Sequence, residues 1–178
     1  EGYRLYCPRW VEARDKKTGE MLFQSKNLWV IMDMIKGRPE RPSYIDGRLP
    51  YVDPQLRHFD PALPKFPSED EYNEGSFDSL KVHPTYYDTD YNRHVNNISY
   101  IVWLMESFPH EYLDHNLPEF FDVEWKKQCH LGDEIRVETK KKENSEEYYT
   151  KILRKCEDGS EEIAFHGITR WRKRVLDK

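Results

Sequence analysis

The stretch YDTDYNRHVNNISYIVWLMES, residues Tyr87–Ser107, joins a polar loop to an apolar pattern with helical spacing. This spacing predicts a helix over Asn97–Glu106, with Asn96 or Asn97 as its N-cap, that ends before Pro109. Side chains three and four residues apart lie on one side of a helix, so one stripe is expected to be buried. Its members are Ile98, Ile101, Val102 and Met105.

The polar loop carries the acids and amides of a calcium site but not its spacing. Asp88, Asp90 and Asn92 match the first, third and fifth positions of an EF-hand loop. The sixth position, normally glycine, is Arg93, and the twelfth, normally glutamate, is Ser99. We therefore predict no metal in this loop.

Strand patterns surround the loop and the helix. A short strand is expected at Leu80–Tyr86, and four further strands follow the helix along the chain. They are predicted at Phe120–Cys129, Glu134–Glu138, Tyr148–Arg154 and Glu162–Trp171. A helix followed by an antiparallel meander predicts an α+β unit whose sheet wraps the helix, although other helix-on-sheet folds share this element order.

The region before the loop consists of two parts that differ in composition. Residues 1–53 are strand-like, with strands expected at Trp10–Ala13 and Met21–Asp33 and a turn at Thr18-Gly19. Residues 54–79 are rich in proline and acidic side chains, which predicts a linker. Residues 80–178 then form the helix-containing domain.

Composition excludes several classes of function. The chain has 178 residues and a net charge of −5, which gives no general attraction to nucleic acid. Its three cysteines are odd in number and widely spaced, which argues against a disulfide framework and a zinc cluster. No apolar run is long enough to span a bilayer, and the chain opens without a leader pattern. We expect a cytoplasmic protein.

The loop and helix closely resemble those of the acyl-acyl carrier protein thioesterases of plants and bacteria. Those proteins carry an Asp-x-Asp-x-Asn-x-His-Val-Asn-Asn loop that leads into the central helix of a hotdog domain. Downstream, Val123–Cys129 (VEWKKQC) resembles the family strand that ends in a Glu-Cys pair. Upstream, Asn27–Asp33 and Arg38–Pro42 resemble the last strand of the first domain and its Arg-Pro tail.

The resemblance implies a hotdog fold, a long central helix wrapped by an antiparallel sheet. Residues 1–53 would be the C-terminal part of a first hotdog, incomplete because no helix precedes its strands, and residues 80–178 a complete second one. An incomplete sheet exposes an apolar face and a strand edge, so we expect association, such as a homodimer. The family also implies a location in a bacterial cytoplasm, or in the plastid stroma of a plant.

The resemblance further implies hydrolysis of long-chain acyl-acyl carrier protein thioesters, releasing free fatty acid and ending fatty acid synthesis. Asp90, Asn92 and His94 match the catalytic loop, and in an extended stretch these three would point to the same side. Backbone N–H groups of Val95, Asn96 and Asn97, at the positive end of the helix, would bind the carbonyl oxygen of the substrate. No cofactor is implied.

Two residues after the helix bear on which group acts as the general base and which as the nucleophile. The family's glutamate is replaced by Gln128, whose amide cannot accept a proton from water, so this role would shift to His94 or Asp90. Cys129 could act as a nucleophile with His94 and Asn92, but transfer to cysteine only makes another thioester, so direct attack by water is preferred. Asp88 and Asn96 are expected to act as caps.

The expected partner is acyl carrier protein, which is acidic and presents its acyl chain on a phosphopantetheine arm. A basic group at the end of the chain is a candidate docking patch, namely Arg170, Arg172, Lys173 and Arg174. Trp29 and Met32 are candidates for lining an acyl tunnel in the first domain, although ordinary core packing is the commoner role. Two alternatives stay open: a non-catalytic module that binds acyl thioesters, and a hotdog dehydratase.

Overall fold

The computed structural model describes residues 5–45, 66, 68, 71–72, 74–77 and 79–175. The chain divides into two compact units, Glu1–Leu63 and Pro64–Lys178. Most of the predicted linker, 54–79, lies outside the described residues, but its end does not. Strand Glu74–Ser76 pairs within the second unit, and Tyr72 is buried in it. No helix of the described residues is long and apolar enough to cross a membrane.

The first unit contains a three-stranded antiparallel sheet, in the order β1 (Tyr6–Arg14), β2 (Met21–Asp33) and β3 (Arg38–Glu40). The predicted turn joins β1 to β2, and Gly19 takes the left-handed conformation there, with φ 74°. The Asp15 carboxylate accepts hydrogen bonds from the N–H groups of Lys17 and Thr18, both at 2.8 Å. The turn is thus closed by its own side chain.

The second unit contains a six-stranded antiparallel sheet among the described residues. The strands are β4 (Glu74–Ser76), β5 (Leu80–Val82), β6 (Asn116–Trp125), β7 (Ile135–Lys141), β8 (Glu147–Lys155) and β9 (Glu161–Lys173). The sheet order is β4-β7-β8-β9-β6, and β5 also pairs with β7. The four predicted strands are present, but β6 begins and ends four residues before its prediction.

Helix α1 (Asn97–Glu106) has the predicted bounds and packs on one face of this sheet; a short helix α2 (His110–His115) follows Pro109. The predicted buried stripe is right for two residues and wrong for two: Ile101 and Met105 are partly buried and pack against the core, whereas Ile98 is 64% exposed and Val102 is 48% exposed. The side chains buried against the sheet are those of Ser99, Tyr100, Trp103 and Leu104. These residues also have helical spacing, and the two aromatic rings remove more apolar surface from water than Ile98 and Val102 would.

A glycine in β9 allows this close approach of helix and sheet. A Cβ atom on Gly167 would lie 2.9 Å from Val123 Cγ1 and 3.3 Å from Leu104 Cδ1. Both neighbours belong to the packed core around α1, where displaced side chains have little free space. Gly167 therefore lets β9 approach the C-terminal half of α1, where Leu104 lies.

Candidate active site

The loop before α1 is a tight turn and not an extended segment. Thr89 and Val95 form an isolated bridge, and the Asp90 N–H donates to His94 O at 2.8 Å. Between Asp90 and His94, Arg93 takes the left-handed backbone conformation, with φ 63°. The premise that Asp90, Asn92 and His94 alternate along an extended stretch is therefore wrong.

The Asp90 carboxylate organises this turn. Its Oδ1 accepts the Asn92 N–H at 2.8 Å and the His94 N–H at 3.4 Å. The Asn92 side chain is exposed and donates to Asp90 Oδ2 at 3.5 Å. Asp90 thus fixes the backbone that carries His94, whereas Asn92 is bonded to Asp90 and not to the His94 ring.

Asp88 and Asn96 have the capping roles that the sequence predicts. Asn96 is the N-cap of α1, and its Oδ1 accepts the Ile98 N–H at 3.0 Å. Asp88 Oδ2 accepts both the N–H and the hydroxyl of Thr85 at 2.7 Å. Burial alone would raise the pKa of Asp88, but these hydrogen bonds, with one from Ser99, outweigh it and lower the pKa.

The start of α1 offers one backbone donor to a substrate, where the sequence predicts three. The Val95 N–H already donates to Cys129 O at 2.8 Å, and the Asn96 N–H donates to Asp88 O at 2.7 Å. Within the described part of the chain, no acceptor pairs with the Asn97 N–H. This group lies in the first turn of α1, where the helix dipole is positive, so it can bind a carbonyl oxygen.

Cys129 lies beside the loop but is fully buried. Burial raises the pKa of its thiol, and contact with the Tyr100 hydroxyl offsets this only in part. No hydrogen bond joins Cys129 to the His94 ring in the described residues. An attacking cysteine needs an accessible thiolate, so this geometry supports water as the nucleophile.

Tyr100, which the sequence analysis did not select, holds the Cys129 segment in place. Its hydroxyl accepts the Cys129 N–H at 2.9 Å and lies 3.4 Å from Lys127 O. Burial and the neighbouring Cys129 both raise the pKa of Tyr100, so the hydroxyl stays protonated. No local pattern links residues 100 and 129, because their contact depends on how the helix lies on the sheet.

Gln128 is exposed at the surface next to this site. Its backbone oxygen accepts Arg154 Nη1 at 2.9 Å. An amide side chain has no proton-accepting group of useful strength, so Gln128 can orient a polar ligand but cannot act as a base. The described residues contain no cluster of three histidine, cysteine or acidic side chains suited to a metal ion.

His94, half-buried, has a second histidine as its neighbour. The rings of His94 and His130 have centroids 5.2 Å apart and planes at 79°. The sequence shows no pattern between the two, since they are 36 positions apart. The hydrogen bond from the Val95 N–H to Cys129 O brings them together, because it pairs the residues next to each histidine.

The two candidate tunnel residues lie in the first unit, and both are exposed. Arg9 stacks over the Trp29 ring, 4.7 Å from its centroid. Side chains three positions apart in a strand point to opposite faces, so Trp29 and Met32 in β2 cannot line the same face of this sheet. At most one of them can line a given tunnel.

The candidate docking residues lie at the far end of β9 from the loop. The start of β9 is next to the site, since the N–H groups of Lys126 and Lys127 donate to Ala164 O. Arg172 instead pairs with Leu117, and the seven residue steps from Phe165 to Arg172 span about 24 Å of strand. The guanidinium carbon of Arg170 lies 4.0 Å from the centroid of the Phe120 ring, so this cation already contacts an aromatic side chain.

The sequence of the chain is similar to those of known proteins. Residues 71–173 match the family described as the acyl-ACP thioesterase C-terminal domain. The chain is 28% identical to oleoyl-acyl carrier protein thioesterase 2, chloroplastic, of Arabidopsis thaliana, over 93% of this chain and 51% of that protein. It is 27% identical to dodecanoyl-[acyl-carrier-protein] hydrolase, chloroplastic, of Cinnamomum camphora, over 93% of this chain and 44% of that protein.

A solved structure shows the same fold. The crystal structure of an oleoyl thioesterase from Lactobacillus plantarum has a TM-score of 0.72 and 22% identity, over 97% of this chain and 65% of that one. The predicted hotdog fold is confirmed by this likeness and by the helix-on-sheet packing of the second unit. The chain spans about half the length of the curated relatives it matches.

Proposed function

The chain belongs to the acyl-acyl carrier protein thioesterase family, as the resemblance of its loop indicated, and from this membership we propose that the protein hydrolyses acyl-acyl carrier protein thioesters to free fatty acid and ends fatty acid synthesis. One observation carries the proposal: a half-buried histidine, His94, lies next to the N-terminus of α1, where the Asn97 N–H is free to bind an oxyanion. Thioester hydrolysis needs a proton acceptor and an oxyanion donor, and this loop supplies both.

The reaction proceeds by attack of water on the thioester carbonyl. The carbonyl oxygen accepts the Asn97 N–H, so that negative charge develops at the positive end of the helix. His94 takes one proton from water as the new C–O bond forms. The tetrahedral intermediate then collapses, the C–S bond breaks, and the thiol and the fatty acid leave.

His94 is the base in this scheme because the neighbouring side chains are hydrogen-bonded within the turn, not basic, or buried. The Asp90 carboxylate binds the N–H groups of Asn92 and His94, which holds the turn in shape. Gln128 has no basic group, and the thiol of Cys129 is buried. An imidazole can accept a proton at neutral pH and return it to solvent afterwards.

Replacing His94 with alanine tests the proposal directly. We expect release of thiol from an acyl carrier protein thioester to fall by at least about 100-fold, the usual contribution of a general base. His110→Ala is the matched control, because His110 is an exposed histidine beyond the end of α1. Equal activity in both variants would show that His94 is not the base.

The preferred acyl chain is proposed to be long, with its tail in a tunnel in the first domain. The relatives named above act, by their names, on oleoyl and dodecanoyl groups, so family membership alone leaves chain length open. Trp29→Ala and Met32→Ala in separate variants distinguish the two faces of β2. We expect one variant to shift the preferred chain length and the other to leave it unchanged.

The carrier protein is proposed to dock on Arg170, Arg172, Lys173 and Arg174. Charge reversal at Arg172 and Arg174 should then raise KM for the acyl carrier protein several-fold and leave KM for acyl-pantetheine unchanged. Lys126→Glu with Lys127→Glu is the comparison, since these lysines lie beside the site. If only the lysine variant weakens carrier binding, the docking patch is at the near end of β9 and the proposal at its far end is wrong.

The first unit is proposed to be the C-terminal part of a first hotdog domain. Its sheet of two long strands and one short strand carries exposed apolar side chains of the kind that pack against a helix. They include Val11, Leu22, Phe23 and Val30. Hydrogen exchange tests this: we expect β1 and β2 to exchange faster than β7–β9, because fewer buried contacts protect them.

A further inference from the structure

The His130 ring contacts the His94 ring edge-to-face. The two rings are 5.2 Å apart between centroids and nearly perpendicular, and the His130 side chain is 47% exposed. Both imidazoles thus border the same part of the surface. His130 takes no part in the reaction as described above, although it is the nearest titratable ring to the proposed base.

The backbone around His130 is fixed on both sides. Cys129 O accepts the Val95 N–H at 2.8 Å, and the Cys129 N–H donates to the Tyr100 hydroxyl at 2.9 Å. After the histidine, the chain turns back at Gly132, whose φ is 88°. The Asp133 carboxylate closes this turn by accepting the His130 N–H at 2.9 Å. The backbone that carries the His130 ring is therefore held in place, and one of its contacts, the bond from the Val95 N–H to Cys129 O, joins it to the residue next to His94.

Asp133 also faces the His130 ring. Its Oδ2 lies 4.0 Å from His130 Nδ1, within reach of an ion pair when the ring is protonated, and 3.8 Å from Arg154 Nη1. A carboxylate on the Nδ1 side orients an imidazole so that Nε2 is left for another partner. His130 thus has the charged side chains of Asp133 and Arg154 on one side and the His94 imidazole on the other.

We propose that His130 is a second catalytic residue, which donates a proton to the sulfur of the departing thiol while His94 accepts the proton of the attacking water. This inference rests on the thioesterase activity proposed above. When the C–S bond breaks, its electron pair stays on sulfur, and sulfur takes the proton of the His130 imidazolium. The carboxylic acid product then returns a proton to His130 and leaves as carboxylate, and His94 releases its proton to solvent.

The leaving group provides a specific test. A pantetheine thiolate is basic and benefits from a proton donor, whereas a nitrothiophenolate is a much weaker base and leaves without one. We expect His130→Gln to lower kcat on acyl-pantetheine by about 10- to 100-fold with KM within about twofold. On the nitrothiophenyl thioester of the same acid, kcat of this variant should stay within about threefold of that of the unmodified protein. His110→Gln should match the unmodified protein on both substrates.

The outcomes separate this inference from the proposed function. If His130→Gln loses equal activity on both esters, its role is structural, and if it loses none, it has no role; either result overturns the inference and leaves the thioesterase intact. If the unmodified protein cleaves neither of these thioesters nor that of an acyl carrier protein, the proposed function and the inference fail together.

Discussion

In the proposed reaction, burial of Cys129 favours water over the thiol as the group that attacks the thioester. With no exposed surface and a pKa that burial raises, its thiol can reach neither a substrate nor the thiolate state with ease. A water molecule next to His94 has neither handicap, and the free Asn97 N–H is left to bind the carbonyl oxygen of the substrate. At the scale of residues, the proposed chemistry depends on which polar groups the fold leaves accessible and without a hydrogen-bond partner.

Cys129→Ala should therefore keep the reaction. We expect kcat to remain within about threefold of the unmodified protein, since the thiol takes no covalent part. Cys156→Ala, in the turn between β8 and β9, is the control. Complete loss of thiol release in the Cys129 variant alone would contradict direct attack by water.

Tyr100→Phe should destabilise the fold. The variant leaves the buried Cys129 N–H without its acceptor, which costs about 1–3 kcal/mol in free energy of unfolding. Tyr91→Phe removes a hydroxyl from a fully solvated ring and should change this free energy by less than about 0.5 kcal/mol. Urea denaturation measures both; equal stability of the two variants would show that the Tyr100 hydroxyl does not brace the Cys129 segment.

The sequence identifies the residues whose function lies in a local pattern and misses those joined through the sheet. Asp90 and His94 share one turn, and Asn96 caps the helix that follows, so their roles are readable within eleven positions. Tyr100 and His130 meet the site only because α1 lies across the strands and Cys129 pairs with Val95. No spacing rule in the sequence relates these segments.

At the scale of elements, α1 shows how a correctly predicted helix can be given a buried face that is only partly right, since Ile101 and Met105 pack against the core but Ile98 and Val102 are exposed. Two stripes with helical spacing run along it, one aliphatic and one containing Tyr100, Trp103 and Leu104. Both satisfy the periodicity rule, so periodicity cannot choose between them. The larger apolar area of the aromatic stripe, and the space over Gly167 that admits Leu104, decide for the second.

Leu104→Ala and Ile98→Ala test this face. Leu104 is fully buried, so truncation should lower the free energy of unfolding by about 2–5 kcal/mol. Ile98 is mostly exposed, and its truncation should change that free energy by less than about 0.5 kcal/mol. Chemical denaturation of both variants is the measurement. A larger loss of unfolding free energy at Ile98 than at Leu104 would show that the aliphatic stripe is the buried one.

At the scale of the whole molecule, the second unit carries a buried histidine on the other face of its sheet. His166 Nε2 lies 2.7 Å from Glu124 Oε2, its Nδ1 lies 3.0 Å from the Tyr149 hydroxyl, and Phe66 stacks on its ring. Burial lowers the pKa of His166, and Glu124 offsets this only in part. The folded protein therefore binds a proton here less readily than the unfolded chain does.

Stability should consequently fall in mild acid. The contribution of His166 is fully present above the ordinary histidine pKa of about 6.5 and is lost as the pH falls below it, because the unfolded chain takes up the proton first. Neighbouring Asp122 acts in the opposite direction, since burial raises its pKa. Urea midpoints at pH 7.5 and 5.5 should differ more in the unmodified protein than in His166→Asn; equal differences would contradict a depressed pKa.

The central claim is that this chain cleaves the thioester of an acyl carrier protein, and the most direct test is to measure products from a panel of acyl chain lengths. We predict thiol and free fatty acid in equal amounts, formed fastest from the long chains. Tight binding of the acyl thioester without release would instead identify a binding module, and an enoyl thioester formed from a hydroxyacyl substrate would identify a dehydratase. Either result would contradict the account.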